Sequence, residues 1–308
     1  MPIAGASAVS FGLRLVNEIS RSRAYDQSVV TSARRRMAAP SPTHEPALAS
    51  AWPSDSRLAA LLVWTAVALV AVEFFFIPLR TVRLFPEFAA TLAPGYLFGS
   101  SANAPPELVR AAPWWGILAP FGWWVAGKFV LCIAVPAAIV TRERKRPFLI
   151  QLPWTWAAWW PYLLLAALMV PLLAVASTQP GFLNTYPMVR SAQTAAWSWT
   201  VLLLYWACYA IILVSVEFLF RGVLLFGLES RLGINAVFVS VIPYCLIHVH
   251  KPVLEAFGSI VAGSVLGVLA LRTRSIGGGI FVHVFVALGM DSIALWKSGT
   301  FPTRFLPW

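Results

Sequence analysis

Seven stretches of the chain, at 58–79, 114–140, 155–177, 200–228, 234–250, 256–271 and 277–296, approach the length and apolarity needed to cross a bilayer. A hydrocarbon core of ~30 Å takes ~20 consecutive apolar residues in a helix. Inside it the backbone has no water to bond, so each run must satisfy its own hydrogen bonds as a helix. The expected fold class is all-α, a polytopic transmembrane helical bundle of about seven spans. Eight spans follow if the 114–140 or the 200–228 stretch is divided. The sixth stretch is short and carries Gly258, Gly263 and Gly267, which suits a packed interior helix whose backbone approaches its neighbours closely. No internal repeat is visible.

Composition agrees. The 308 residues are 59% hydrophobic and 11% charged, whereas a soluble chain is about 45–50% apolar and about 25% charged. The net charge of +11 does not point to nucleic acid, because much of it is clustered. Arg34, Arg35 and Arg36 lie in the N-terminal tail, and Arg142, Arg144, Lys145 and Arg146 follow an apolar run. Basic clusters beside spans mark the cytoplasmic side and attract anionic lipid. The expected partner is the lipid bilayer. Cys132, Cys208 and Cys245 each sit in an apolar stretch and read as small buried hydrophobes.

Residues 1–56, rich in Ala, Ser, Arg and Pro, read as a cytoplasmic, mostly disordered tail. Within it Phe11–Ile19 can form a short amphipathic helix. Membrane helices follow over 57–199 and 200–296, with a short tail at 297–308. The loops at 80–113 and 178–196 read as irregular. Seven spans put the Arg-rich tail, Arg142–Arg146, Arg231, Arg272 and Arg274 on the cytoplasmic side and the C-terminus outside. Arg80, Arg83, Arg110, Arg190 and Lys251 are left in the outer loops.

An ionisable side chain at bilayer depth costs ~2.5–3.5 kcal/mol on insertion scales, so each is a functional candidate. They are Glu73, Lys128, Glu217, Arg221, His248, His250, His283 and Asp291. Glu217 and Arg221, four apart, share a helix face with the acid first, the better order for a pair. Counted from the ends of their stretches, Glu217 and His248 reach similar depths of about 18 Å and about 20 Å. His283 lies only about 9 Å above Gly277, and Asp291, two turns on, matches Glu217 better. A carboxylate and two imidazoles at one depth can activate water and steady an oxyanion. The same groups could hold a divalent metal such as zinc, although no HExxH pair is present. Ser215 lacks a GxSxG elbow, and no paired Asp motif occurs. His250, Lys251 and Glu255 read either as a polar span end broken by Pro252 or as the lining of a cavity entrance. Glu73 and Lys128 are lone charges that can pair or snorkel.

The run Glu217-Phe218-Leu219-Phe220-Arg221-Gly222, then Tyr244-Cys245-Leu246-Ile247-His248, then His283, resembles the CPBP family over roughly 200–296. These are CAAX prenyl endopeptidases, bacteriocin-processing proteins and the related Abi proteins. The stretches His248 to Glu255 and Leu271 to Ser275 resemble a bacterial subgroup. The family pattern is Glu-Glu-x-x-x-Arg, Phe-x-x-x-His and His-x-x-x-Asn on three helices. The resemblance implies an intramembrane peptidase in which a glutamate, helped by histidines, activates water. Glu217 matches the second Glu, Arg221 the Arg, His248 and His283 the two motif histidines, and Tyr244 the Phe. The first Glu is Val216 here and the Asn is Ala287. A step from 216 to 217 turns a side chain by ~100°, and Asp291, one turn past Ala287, could supply the missing polar group.

The leading expectation is therefore an intramembrane endopeptidase acting on a membrane-associated, prenylated or secreted peptide, in a bacterial inner membrane. Glu217 would be the base or water ligand, Arg221 its electrostatic partner, and His248 and His283 would position water and the oxyanion. Alternatives on the same residues are a non-catalytic scaffold or immunity-type protein, motivated by Val216 and Ala287, and a proton-coupled transporter.

Overall fold

The computed structural model describes residues 55–77, 114–141, 156–188 and 197–306. The expectations for the tail up to residue 54, including Phe11–Ile19 and Arg34–Arg36, lie outside the described residues. So do those for Arg142–Arg146, the 80–113 loop and Arg190.

Among the described residues, a helix forms at each of the seven apolar stretches. Helix α1 (Asp55–Ala71) runs into a π-helical end, Val72–Phe76. Helix α2 starts as Trp114–Lys128 and continues through a π segment, Phe129–Ala134, to Val135–Thr141. Helix α3 is Trp156–Ala176, followed in the expected irregular loop by one helical turn, Phe182–Thr185. Helix α4 is Trp199–Glu217, a π segment Phe218–Leu225, and Phe226–Leu232. Then come α5 (Asn235–Leu246), α6 (Val253–Thr273) and α7 (Gly277–Ser298). Neither α2 nor α4 is divided, because in both the π segment keeps the helix continuous.

Six of these helices are long and apolar enough to cross a membrane. With large apolar side chains such as Val170, Phe238 and Val261 turned outward, they make this an integral membrane protein. The exception is α5. The 234–250 stretch winds into helix only to Leu246, and twelve residues rise about 18 Å, short of the ~30 Å core. From there the chain reverses through i→i+3 turns, with the His248 N–H donating to the Cys245 carbonyl (2.9 Å) and Lys251 N–H to the His248 carbonyl (3.0 Å). His248 thus sits in a turn just beyond its helix.

The sixth helix also departs from expectation. At 21 residues it is long, and its outer face is bare: Val253, Phe257 and Val261 are 69%, 68% and 66% exposed. Its glycines explain the other face. A Cβ on Gly267 would stand 2.9 Å from Val237, and one on Gly263 would stand 3.0 Å from Tyr244. These two positions let α6 lie tight against α5, whereas Gly258 faces open space.

The buried centre of the bundle is α4. Of its most apolar segment 89% is buried, against 17% to 44% in the other long helices. Its first turn is capped twice, since the Ser198 hydroxyl accepts from Val201 N–H (3.3 Å). The Arg304 and Phe305 carbonyls accept from the N–H groups of Trp199 and Thr200. Thus part of the C-terminal tail satisfies donors that a helix start leaves open. At the opposite end Arg274, just past α6, pairs with Glu229 of α4. That pair brings the Arg231 and Arg272–Arg274 segments to one end of the bundle.

Candidate active site

Glu217 is the last residue before the π segment of α4, and none of its side chain is exposed. Four residues on, Arg221 reaches back so that Nη1 donates to Oε1 of Glu217 at 2.8 Å. The same Oε1 lies 2.9 Å from Nδ1 of His283 on α7. Against a carboxylate, which only accepts, this nitrogen is the donor. One oxygen therefore gathers a guanidinium and an imidazole. The second, Oε2, and Nη2 of Arg221 are buried with no partner among the described residues.

Local sequence makes the meeting possible. A Cβ on Gly222 would touch Ile276, one on Gly278 would clash with the edge of the Tyr162 ring, and one on Gly279 would stand 3.0 Å from Oε2 of Glu217. The Gly277-Gly278-Gly279 start of α7 is thus set into the bundle beside Gly222, while α4 runs on to Leu232. This explains why His283, not Asp291, lies level with Glu217. The first turn of α7 already lies beside Glu217, some way before the end of α4 at Leu232.

His248 joins the cluster through Tyr244. Its Nδ1 is 2.9 Å from the Tyr244 carbonyl, and the two rings lie tilted at 51° with centroids 4.7 Å apart. The Tyr244 ring also lies edge-on to His283 at 6.2 Å and carries the Arg221 guanidinium over its face at 4.1 Å. One buried aromatic therefore touches three of the four motif side chains. In the sequence Tyr244 was visible only as the residue matching the family's Phe. Gly279 gave no signal on its own, because a close approach shows only when the partner helix is in place.

Other candidates fall elsewhere. Asp291 is fully buried one helix level away, accepting from the Tyr205 hydroxyl (2.7 Å) and from Met188 N–H (3.3 Å). Lys251 pairs with Glu255 at 3.2 Å and donates to the Tyr186 hydroxyl at 2.7 Å. That hydroxyl donates in turn to Glu255 at 2.6 Å. Burial, then the nearby Tyr209, Glu255 and Asp291, raise the Tyr186 hydroxyl far above its usual range, so it stays protonated. These three residues latch the 182–188 loop to the start of α6. His250 is exposed and lies 3.6 Å from Glu73 of α1. Lys128 is buried within electrostatic reach of Glu73 and Cys132. Ser215 bonds back to the Ile211 carbonyl of its own helix. Val216 and Ala287, where the family pattern has polar residues, are buried in hydrophobic clusters.

Among the described residues no three His, Cys, Asp or Glu side chains gather as a metal-ligating group. The chemistry on hand is a carboxylate, a guanidinium and two imidazoles within a membrane bundle. No curated protein and no solved structure matches the chain. The family model "Rce1-like: Type II CAAX prenyl endopeptidase Rce1-like" matches residues 195–289, the segment that carries Glu217, Arg221, His248 and His283. Over that part of its length, less than a third of the chain, the sequence is similar to the Rce1-like CAAX prenyl endopeptidase family.

Proposed function

We propose that the protein is an intramembrane endopeptidase. It would hydrolyse a peptide bond of a membrane-associated, prenylated or secreted peptide with water activated among Glu217, His248 and His283, beside Arg221. The observation that carries this reading is Oε1 of Glu217, held at once by Arg221 and His283. An ion pair kept only for stability is dispensable, since apolar replacements of buried pairs are often as stable. A third, imidazole partner with its second nitrogen turned away is the kind of group that hydrolysis uses. Nη2 of Arg221, buried and without an acceptor, is a donor for the oxyanion that forms when water adds to an amide carbonyl.

Integral membrane residence fits such a substrate. In this reading the end bearing Arg231, Arg272 and Arg274 faces the cytoplasm of a bacterial inner membrane, and nucleic acid is not a partner. The test is processing of a peptide that the wild-type chain cleaves, repeated with Glu217→Gln and His248→Ala. Loss of cleavage in either supports the reading, and unchanged cleavage in both overturns it.

A second reading is a non-catalytic membrane scaffold on the same core. It is favoured by Val216 and Ala287, which put apolar side chains where the family pattern is polar. It predicts that Glu217→Gln alters expression and thermal stability but no processing.

A further inference from the structure

We infer that the proton of the hydrolytic water is taken by Nε2 of His248, and that Glu217 is a positioning residue for His283 rather than the base. This rests on the peptidase reading and assigns its central proton transfer.

The glutamate is poorly placed to act as base. A base must come within about 2.6–3.2 Å of the oxygen whose proton it takes. Oε1 of Glu217 already accepts from two donors. Oε2 is closed against Gly279, where even a methyl group would sit at 3.0 Å. The whole side chain is shielded, at 0% exposure. The preceding position offers no carboxylate either, being Val216 in the hydrophobic core.

His248 has the opposite character. The Tyr244 carbonyl beside its Nδ1 can only accept, so Nδ1 carries the proton. The neutral ring then has its lone pair on Nε2, which has no partner among the described residues. The ring is half-buried in the 247–250 turn and is held between its Nδ1 contact and the tilted Tyr244 ring beside it. His283 is likewise fixed through Nδ1, which is tied to Glu217, so that its Nε2 points away from that carboxylate. The ionisable groups within electrostatic reach of His248 are His283, Lys251, Glu255 and Glu217. Arg221 lies across the Tyr244 ring.

The step balances without a further reactant. Nε2 of His248 removes a proton from water as the water oxygen bonds to the scissile carbonyl carbon, and the carbonyl π electrons move onto its oxygen. Collapse of that adduct restores the carbonyl and breaks the C–N bond. His248 returns its proton to the departing nitrogen, leaving a carboxylic acid and an amine.

The test uses the full chain in nanodiscs with a quenched-fluorescent peptide ending in a farnesylated CAAX sequence, and the same peptide unmodified. Initial rates are taken from about pH 3.5 to 9, with thermal unfolding measured on every variant. His248→Gln and His248→Asn should lower kcat about 10²–10⁴-fold, the usual worth of a general base, with KM held. Added imidazole should restore part of the loss. Glu217→Gln keeps an acceptor oxygen for Arg221 and His283, and should stay within about tenfold of wild type with the acid limb of its pH profile in place. If Glu217→Gln falls as far as His248→Gln, or loses that limb, the assignment to His248 is overturned and the peptidase reading stands. If the wild-type chain cleaves neither peptide, both are overturned.

Discussion

Gly279 of α7 lies so close to Glu217 of α4 that a Cβ on it would stand 3.0 Å from Oε2. The two helices meet at the candidate site because one of them has no side chain there. Gly279→Ala gains about 0.8–1 kcal/mol of helix propensity, which offsets the crowding. We expect melting within a few degrees of wild type. The carboxylate must give by a few tenths of an ångström, carrying His283 with it. Since a 1 Å error can cost ~10²-fold, cleavage should fall about tenfold. Equal rates for the two proteins in one peptide assay would refute this.

The buried ion pair gives a second expectation. Arg221→Ala strands the Glu217 carboxylate in a site with no exposure, and removing one partner of a buried pair costs ~3–5 kcal/mol. Glu217→Leu with Arg221→Met removes both charges and should recover most of that loss, while hydrolysis stays absent. Thermal unfolding of Glu217→Leu, Arg221→Met and the double variant measures the coupling. Additive losses would mean that the pair is not energetically linked.

How far the sequence reaches is clear at this pair. Glu217 and Arg221 were readable as neighbours because helical spacing is local, and all seven helices were readable because a bilayer demands apolar runs. From helical depth alone the α7 partner of Glu217 was not readable, and only the family resemblance put His283 beside it. It depends on how far α7 is sunk into the bundle, which three consecutive glycines permit only in combination with Tyr162 and Gly222 across the interface. The early end of α5 was hidden as well, because Ile247 and Val249 keep the run apolar after the helix has stopped. The Tyr186 latch, from a loop to Lys251 and Glu255, joins residues about 65 apart with no periodicity to announce it.

The glycines of α6 separate packing from composition. Gly267→Ala would drive a methyl to 2.9 Å from Val237, a buried side chain with little room to move. Overpacking of this kind costs ~1–3 kcal/mol. Gly258→Ala meets nothing within 4 Å and should be neutral or gain up to about 1 kcal/mol from helix propensity. Melting of the two variants in one detergent should move in opposite directions. A common direction would mean that the α5–α6 contact is looser than it stands here.

Asp291 offers the sharpest separation of structure from chemistry. Spacing from Ala287 suggested that it could replace a missing polar group at the site, yet its two oxygens are taken by the Tyr205 hydroxyl and the Met188 N–H. Tyr205 precedes Glu217 by twelve residues on α4, about 18 Å along the axis, so this contact belongs to another level of the bundle. Tyr205→Phe deletes only the donor. It leaves Oδ2 of a fully buried carboxylate without that bond, at a cost of about 1–3 kcal/mol. Because the Glu217–His283 contact is untouched, kcat should hold while the unfolding temperature drops. A matching fall in kcat at temperatures where the variant is still folded would show that Asp291 acts on the reaction after all.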